Sequence, residues 1–420
     1  MKTLFENVRI LNFDTKTFQN CNLLVEDDKI GKIGDFDCNA DKIIEGNNNI
    51  LMPGFVNAHA HNPMTLLRNT FDDSALEEWL FDNILTKEAK LLPEDVYWGE
   101  MLGIAESVRN GITSFEECYF YAEQIVKAVD KAKIRARIGL GKAIGGENLE
   151  QDILKHYSLC KNKKLITNNI YSHSVYTYSL EELEIAVKLA NQLNLPLSVH
   201  MSETLKEVGD CDSSYGKSPT ALLESVGYFD RPCVVYHAVH CDKDDMQILK
   251  DYKVSVATCP ASNLKLASGI APIYSYVDRE INVCIGTDGP ASNNNLDMFK
   301  EMYLTSCLAK VYTGKADCLS AIDILKMATI NGATALGFDK VGQIKTGWQA
   351  DLILIDTDNL HYKPENDMIS ALVYAGKGSD VKLTMVAGNI LYEDGKFNIG
   401  EDIEVIKTQC EKIVKKLKGN

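Results

Sequence analysis

The middle of the chain alternates short apolar runs with stretches of helical period, and this leaves few folds open. Eight runs have the length and β-branched content of strands: residues 51–57, 112–118, 133–140, 168–175, 195–200, 232–237, 253–259 and 281–287. Helical patterns such as 179–193 and 320–337 lie between or after them. Strands separated by helices pair in parallel, with right-handed crossovers. If the sheet closes, the result is a (β/α)8 TIM-type barrel; if it stays open, a doubly wound sheet. Length argues for the barrel, because 420 residues accommodate a barrel of about 250 residues and a satellite domain.

The satellite is expected from both ends of the chain. Residues 3–52 read as short strands broken by Asp, Asn and Gly, and so do 347–358 and 381–397, the latter a hairpin turning near Glu393-Asp394-Gly395. Ile403, Ile406, Ile413, Val414 and Leu417 recur every few residues over 401–419 and predict an amphipathic closing helix. The expected division is a small β-sandwich domain from 1–51 and 347–420, with a barrel over 52–346.

Charge and cysteine use narrow the function classes. A formal net charge of −15 argues against a nucleic-acid partner. The first residues, Met1 to Asn7, carry no signal-peptide hydrophobic run, and no window nears the ~20 apolar residues of a membrane span. The 12 cysteines include no CxxC pair and no cluster with metal-ligand spacing. Reduced thiols in a cytoplasmic protein are expected, acting on a small molecule, in a homo-oligomer.

A barrel places its active site at the C-terminal ends of its strands. The first run leads into His59-Ala60-His61, and alternate residues of an extended segment face the same way, so both imidazoles can face one metal. The fifth run ends at His200, followed by Glu203; the sixth ends at His237, with His240 one turn on; the eighth leads into Thr287-Asp288-Gly289. Four of only eight histidines stand at strand ends. One such histidine is usually a hydrogen-bonded structural residue, but the whole set is far more specific. Three or four imidazole and carboxylate ligands plus a water make an open catalytic site for zinc or iron. His240 reads as a supporting residue, His156 as a solvated helix residue, and His361 as a loop residue.

Pro53 to His61, Met64-Thr65-Leu66-Leu67-Arg68, His200-Met201-Ser202-Glu203, His237-Ala238-Val239-His240, Cys259 to Leu266 and Gly286 to Asn294 follow one another in an order that resembles the amidohydrolase-superfamily deaminases. The branch of 5′-methylthioadenosine/S-adenosylhomocysteine deaminases, relatives of the triazine chlorohydrolases, is similar over almost the full length, including Glu78-Trp79-Leu80 and Gly347 to Leu352. The resemblance implies one divalent metal, usually Zn2+ with Fe2+ as the alternative, held by His59, His61, His200 and Asp288. It implies Glu203 as proton shuttle, His237 as the group orienting the attacking water, and Asp288 as proton acceptor. It places Trp79, Glu88, His173 and Ser292 at the substrate. Two-metal relatives need a carbamylated lysine at the end of strand four, where this chain has His173.

The expected reaction is hydrolytic deamination of a 5′-modified adenosine: 5′-methylthioadenosine, 5′-deoxyadenosine or adenosine. Alternatives are deamination or dechlorination of a guanine, pterin, cytosine or triazine, or cyclic-amide hydrolysis of the imidazolonepropionase kind. The chain departs from the branch at one place. Two arginines that can hold a substrate carboxylate align with Leu140 and Glu147, leaving Lys142 as the nearest cation. S-adenosylhomocysteine is therefore the less favoured substrate.

Overall fold

The computed structural model describes residues 1–143, 146 and 148–419; Glu147 lies outside the described residues. Eight strands form the barrel: Phe55–Ala60, Ile112–Glu117, Arg135–Leu140, Ile166–Ser172, Leu197–Met201, Cys233–His237, Ser255–Thr258 and Val283–Ile285. Each pairs in parallel with the next in sequence order. Helices cover the outside, so most strand residues are buried on both faces, which is why the strands read as apolar runs rather than alternating ones.

The first and last strands meet, which the open-sheet alternative does not allow. Ala60 bridges Asp288 in parallel, and the Asp288 N–H donates to the His59 carbonyl at 2.9 Å. Closure brings Gly286 against His59 so tightly that a β-carbon there would lie 2.8 Å from His59 Cβ. Only glycine fits at that seam.

The run read as one strand over 51–57 is two. Ile50–Pro53 belongs to a second sheet, and Phe55–Ala60 opens the barrel. Pro53 and Gly54 end one element and let the chain cross to the other. The second sheet has nine mixed strands drawn from both termini. It encloses a small core of its own, including Phe5, Leu23, Val25, Leu352 and Met385. The closing helix Ile403–Lys418 lies on the barrel helix Pro93–Arg109, where Cys410 Sγ donates to the Trp98 carbonyl at 3.3 Å and Lys416 pairs with Asp95 at 3.0 Å. Among the described residues no helix is long and apolar enough to cross a membrane, and all 12 cysteines are free.

Candidate active site

Three strands end in left-handed backbone at the barrel mouth. Ser202 has φ 52°, His237 φ 66° and Asp288 φ 59°. For residues with a side chain this conformation costs of order 1–3 kcal/mol and persists where the surroundings impose it. Here those surroundings are inter-strand hydrogen bonds, such as the Ala238 N–H to the Met201 carbonyl at 3.1 Å. The turns aim Glu203, His237 and Asp288 at the same small volume as His59, His61 and His200.

Ligand-type atoms of His59, His61 and Asp288 lie within 4.8 Å of one another, and so do those of His59, His200 and His237. His59 joins the two groups. Its Nε2 is 3.1 Å from His200 Nε2 and 3.5 Å from Asp288 Oδ1, and His61 Nε2 is 3.4 Å from that same oxygen. Hydrogen bonds assign the tautomers. His61 Nδ1–H donates to the Cys118 carbonyl at 2.5 Å, and His200 Nδ1–H to the His173 carbonyl at 2.7 Å. Both Nε2 atoms therefore present lone pairs. Tyr236 stacks on His59 with ring centroids 3.7 Å apart and holds its ring in plane.

The electrostatics agree with this assignment. Burial holds His59 down to about 3 and lowers His61. Burial and then the neighbouring imidazoles push His200 well below its ordinary value. Burial alone would raise Asp288, but the hydrogen bond to His59 and the neighbouring imidazoles outweigh it and hold the carboxyl well down. Neutral imidazoles thus face an ionised carboxylate. Such a convergence of lone pairs is repulsive unless a cation lies among them, and two or more imidazoles with one carboxylate suit a divalent ion such as zinc.

Asp288 is held from behind. Ser262 Oγ donates to its Oδ2 at 2.5 Å and Ser292 Oγ at 2.9 Å, which leaves Oδ1 turned toward the imidazoles. Ser292, expected beside the substrate ring, bonds Asp288 here. His237 Nδ1–H donates to Asn263 Oδ1 at 2.8 Å, and its Nε2 lies 3.7 Å from Glu203 Oε2. Burial alone would lower His237, but the charges of Glu203 and Asp288 outweigh it and raise the imidazole. Glu203 itself is raised by burial, against the pull of His237. Its backbone is fixed by Glu207, whose carboxylate accepts the N–H groups of Ser202 and Glu203 at 3.0 and 2.7 Å. Ser268 Oγ donates to Glu203 Oε1 at 3.2 Å, while His240 Nε2 reaches the Ser268 carbonyl at 2.7 Å. His240 thus props the loop that holds Glu203.

A cavity of about 470 Å3 opens from His61, Tyr171 and His173 toward Lys142, Lys155 and His156, within the usual size of a small-molecule site. His173, half-buried and held down to about 3 by desolvation, is anchored by Thr177 Oγ1 at 3.0 Å. Glu88 lines the cavity, accepts the Tyr119 hydroxyl at 2.5 Å, and is raised to about 7 by burial. Trp79 is in the apolar core on a π-helical turn, Glu78–Ile84, and Leu80 from that turn faces the cavity instead. His156 is not solvated. It faces inward from helix Leu149–Cys160 and lies 3.2 Å from Glu123. Sequence reading assigned no role to Ser262, Asn263, Glu207, Ser268 or Tyr119. Ser262 and Asn263 stand directly after the seventh strand, the position that marks barrel active sites, so a signal was there.

The amidohydrolase family model matches residues 50–391. The chain is 41% identical over 387 residues to a 5-methylthioadenosine/S-adenosylhomocysteine deaminase of Acetivibrio thermocellus, covering 91% of this chain and 90% of that one. It is 43% identical over 364 residues to a 5′-deoxyadenosine deaminase of Methanosphaera stadtmanae, covering 85% of each. Its structure superposes on that of a zinc-bound adenosine deaminase from Xanthomonas campestris with a TM-score of 0.95 at 32% identity, covering 100% of this chain and 99% of the other. With the strand-end histidines, the closed parallel barrel and these matches together, the chain belongs to the amidohydrolase family.

Proposed function

We propose that the protein is a metal-dependent hydrolytic deaminase of a 5′-modified adenosine, releasing ammonia and an inosine analogue. The observation that carries the reading is the convergence of neutral His59, His61 and His200 on the ionised Asp288, with Glu203 and His237 poised at its edge. One Zn2+ per chain is the ion that this donor set would hold, through His59, His61, His200 and Asp288. A bound divalent ion lowers the pKa of a water to near 7 and so supplies a nucleophile at neutral pH. Names and identities of the relatives above support adenosine derivatives as the substrate class. The free thiols fit a reducing cytoplasm.

The protein groups then divide the proton work. Asp288 Oδ1 takes a proton as water adds to the purine C6 and passes it to the exocyclic amino group, so that the C6–N bond breaks and ammonia leaves. Its other oxygen, held by Ser262 and Ser292, keeps the carboxylate from rotating away. Glu203, whose carboxyl is raised by burial, can shuttle a proton to the ring nitrogen beside C6, so that charge does not accumulate there. His237, fixed by Asn263, holds the nucleophile in line. Glu88 and His173 both line the cavity, which supports a role for Glu88 in hydrogen-bonding the nucleoside and for His173 at the ribose. The test is an ammonia-release screen over adenosine derivatives, guanine, pterins, cytosine and triazines, with cyclic-amide opening measured alongside. Turnover confined to adenosine derivatives is expected, and a higher kcat/KM on another heterocycle would overturn the reading.

A further inference from the structure

We infer that Glu182 is a specificity-determining residue, an internal carboxylate that occupies Lys142 and so turns away substrates carrying an anion at the 5′ end. The inference rests on the adenosine-deaminase reading above and sets which members of that substrate class are accepted.

Lys142 follows the third barrel strand and lines the cavity away from the histidine cluster. Its side chain is only 6% exposed, so its ammonium needs partners from the protein. It donates to a Glu182 carboxylate oxygen, and to the Gly146 carbonyl at 3.0 Å, and it lies 5.1 Å from the centre of the Tyr178 ring. Glu182 does not line the cavity. It sits in the first turn of helix Leu180–Leu193, where its other oxygen accepts the Ser179 N–H at 2.9 Å in a capping box. The helix start thus fixes the carboxylate that satisfies the lysine.

Among the described residues, the other cations near the cavity are either paired or exposed to solvent. Arg137, close by in sequence, is 1% exposed and bonded to Glu116 at 2.6 Å. His156 faces Glu123 at 3.2 Å. Lys155 is exposed, one turn beyond Asp152 on the same helix, where hydration and screening leave an ion pair worth little. Glu123 and Asp152 add negative charge to the same wall. An incoming carboxylate must either displace Glu182 or lie unpaired beside these acids. A methylthio, methyl or hydroxyl group meets neither obstacle.

The test is Glu182→Gln. Glutamine keeps the capping bond to Ser179 and removes the charge. kcat/KM is measured for 5′-methylthioadenosine, 5′-deoxyadenosine, S-adenosylhomocysteine and a 5′-carboxyalkylthio analogue that lacks the ammonium. The wild-type protein is expected to favour the neutral pair by at least about tenfold. The variant should raise the two carboxylates by roughly 10–100-fold, the worth of one charge-assisted contact, mainly through KM, with the neutral pair unmoved. Lys142→Met alone should leave the ratio at its wild-type value, and in the Glu182→Gln background it should abolish the gain. Glu182→Ala, which also loses the cap contact, should shift the ratio the same way. Equal wild-type turnover of neutral and anionic substrates, or variants that move all substrates in parallel, would overturn the inference and leave the deaminase reading standing. A wild-type protein that deaminates no adenosine derivative would overturn both.

Discussion

Asp288 works only if one of its oxygens stays turned toward the imidazoles, and two hydroxyls enforce that. Ser262 and Ser292 are 0% and 1% exposed and donate to Oδ2 at 2.5 and 2.9 Å. A hydrogen bond to a charged group is worth ~1.5–3 kcal/mol, which is ~10–150-fold in rate if it is lost from the transition state. Ser262→Ala, which removes the shorter bond, should lower kcat/KM by at least about tenfold. Ser292→Ala should cost less. Because both donors meet one oxygen, the double variant should depart from the product of the single effects, as neighbours sharing a partner do. The assay is steady-state ammonia release on the best adenosine derivative, with bound metal determined by elemental analysis of each purified variant. Loss of kcat with metal retained would mean that the serines orient the proton acceptor, and joint loss of both that they orient a ligand. A double variant with full metal and kcat/KM within about threefold of wild type, well inside the value of even one such bond, would refute the reasoning.

Three more outcomes follow from the same geometry. The purified protein should carry about one divalent ion per chain, and His59→Ala should lose both ion and activity; elemental analysis showing two tightly held ions, or activity without any, contradicts the single-site assignment. Glu203→Gln should keep the ion yet lose ~10²–10⁴ in kcat, the usual value of a positioned proton-transfer group, and near-normal turnover would remove Glu203 from the proton path. Glu88 is buried and raised to about 7, above its unfolded value, so the folded protein binds this proton more tightly and loses stability as pH rises from about 4.5 to 7. Glu88→Gln still accepts the Tyr119 hydroxyl, so thermal unfolding should show it more stable than wild type at pH 8, by a few kcal/mol at most, and equal near pH 4. Parallel melting curves at both pH values would show that Glu88 does not titrate in this way.

Much of this protein could be read along the chain. The alternation of apolar runs and helical patterns specified a parallel α/β sheet, because both periods are local consequences of which faces are buried. The strand-end positions of His59, His61, His200, His237 and Asp288 followed from the rule that barrel chemistry sits at one end of the strands. Closure did not follow, since it rests on a meeting of Ala60 with Asp288 across 228 residues of chain, and no local pattern records that distance. Nor did the split of residues 51–57 between two sheets, which depends on what each half packs against. The supports of the site were the least legible. Ser292 turned to Asp288, His156 turned inward, and Lys142 found Glu182. A hydroxyl, an imidazole or an ammonium can serve many partners, and only the tertiary structure, by burying each beside one of them, decides which.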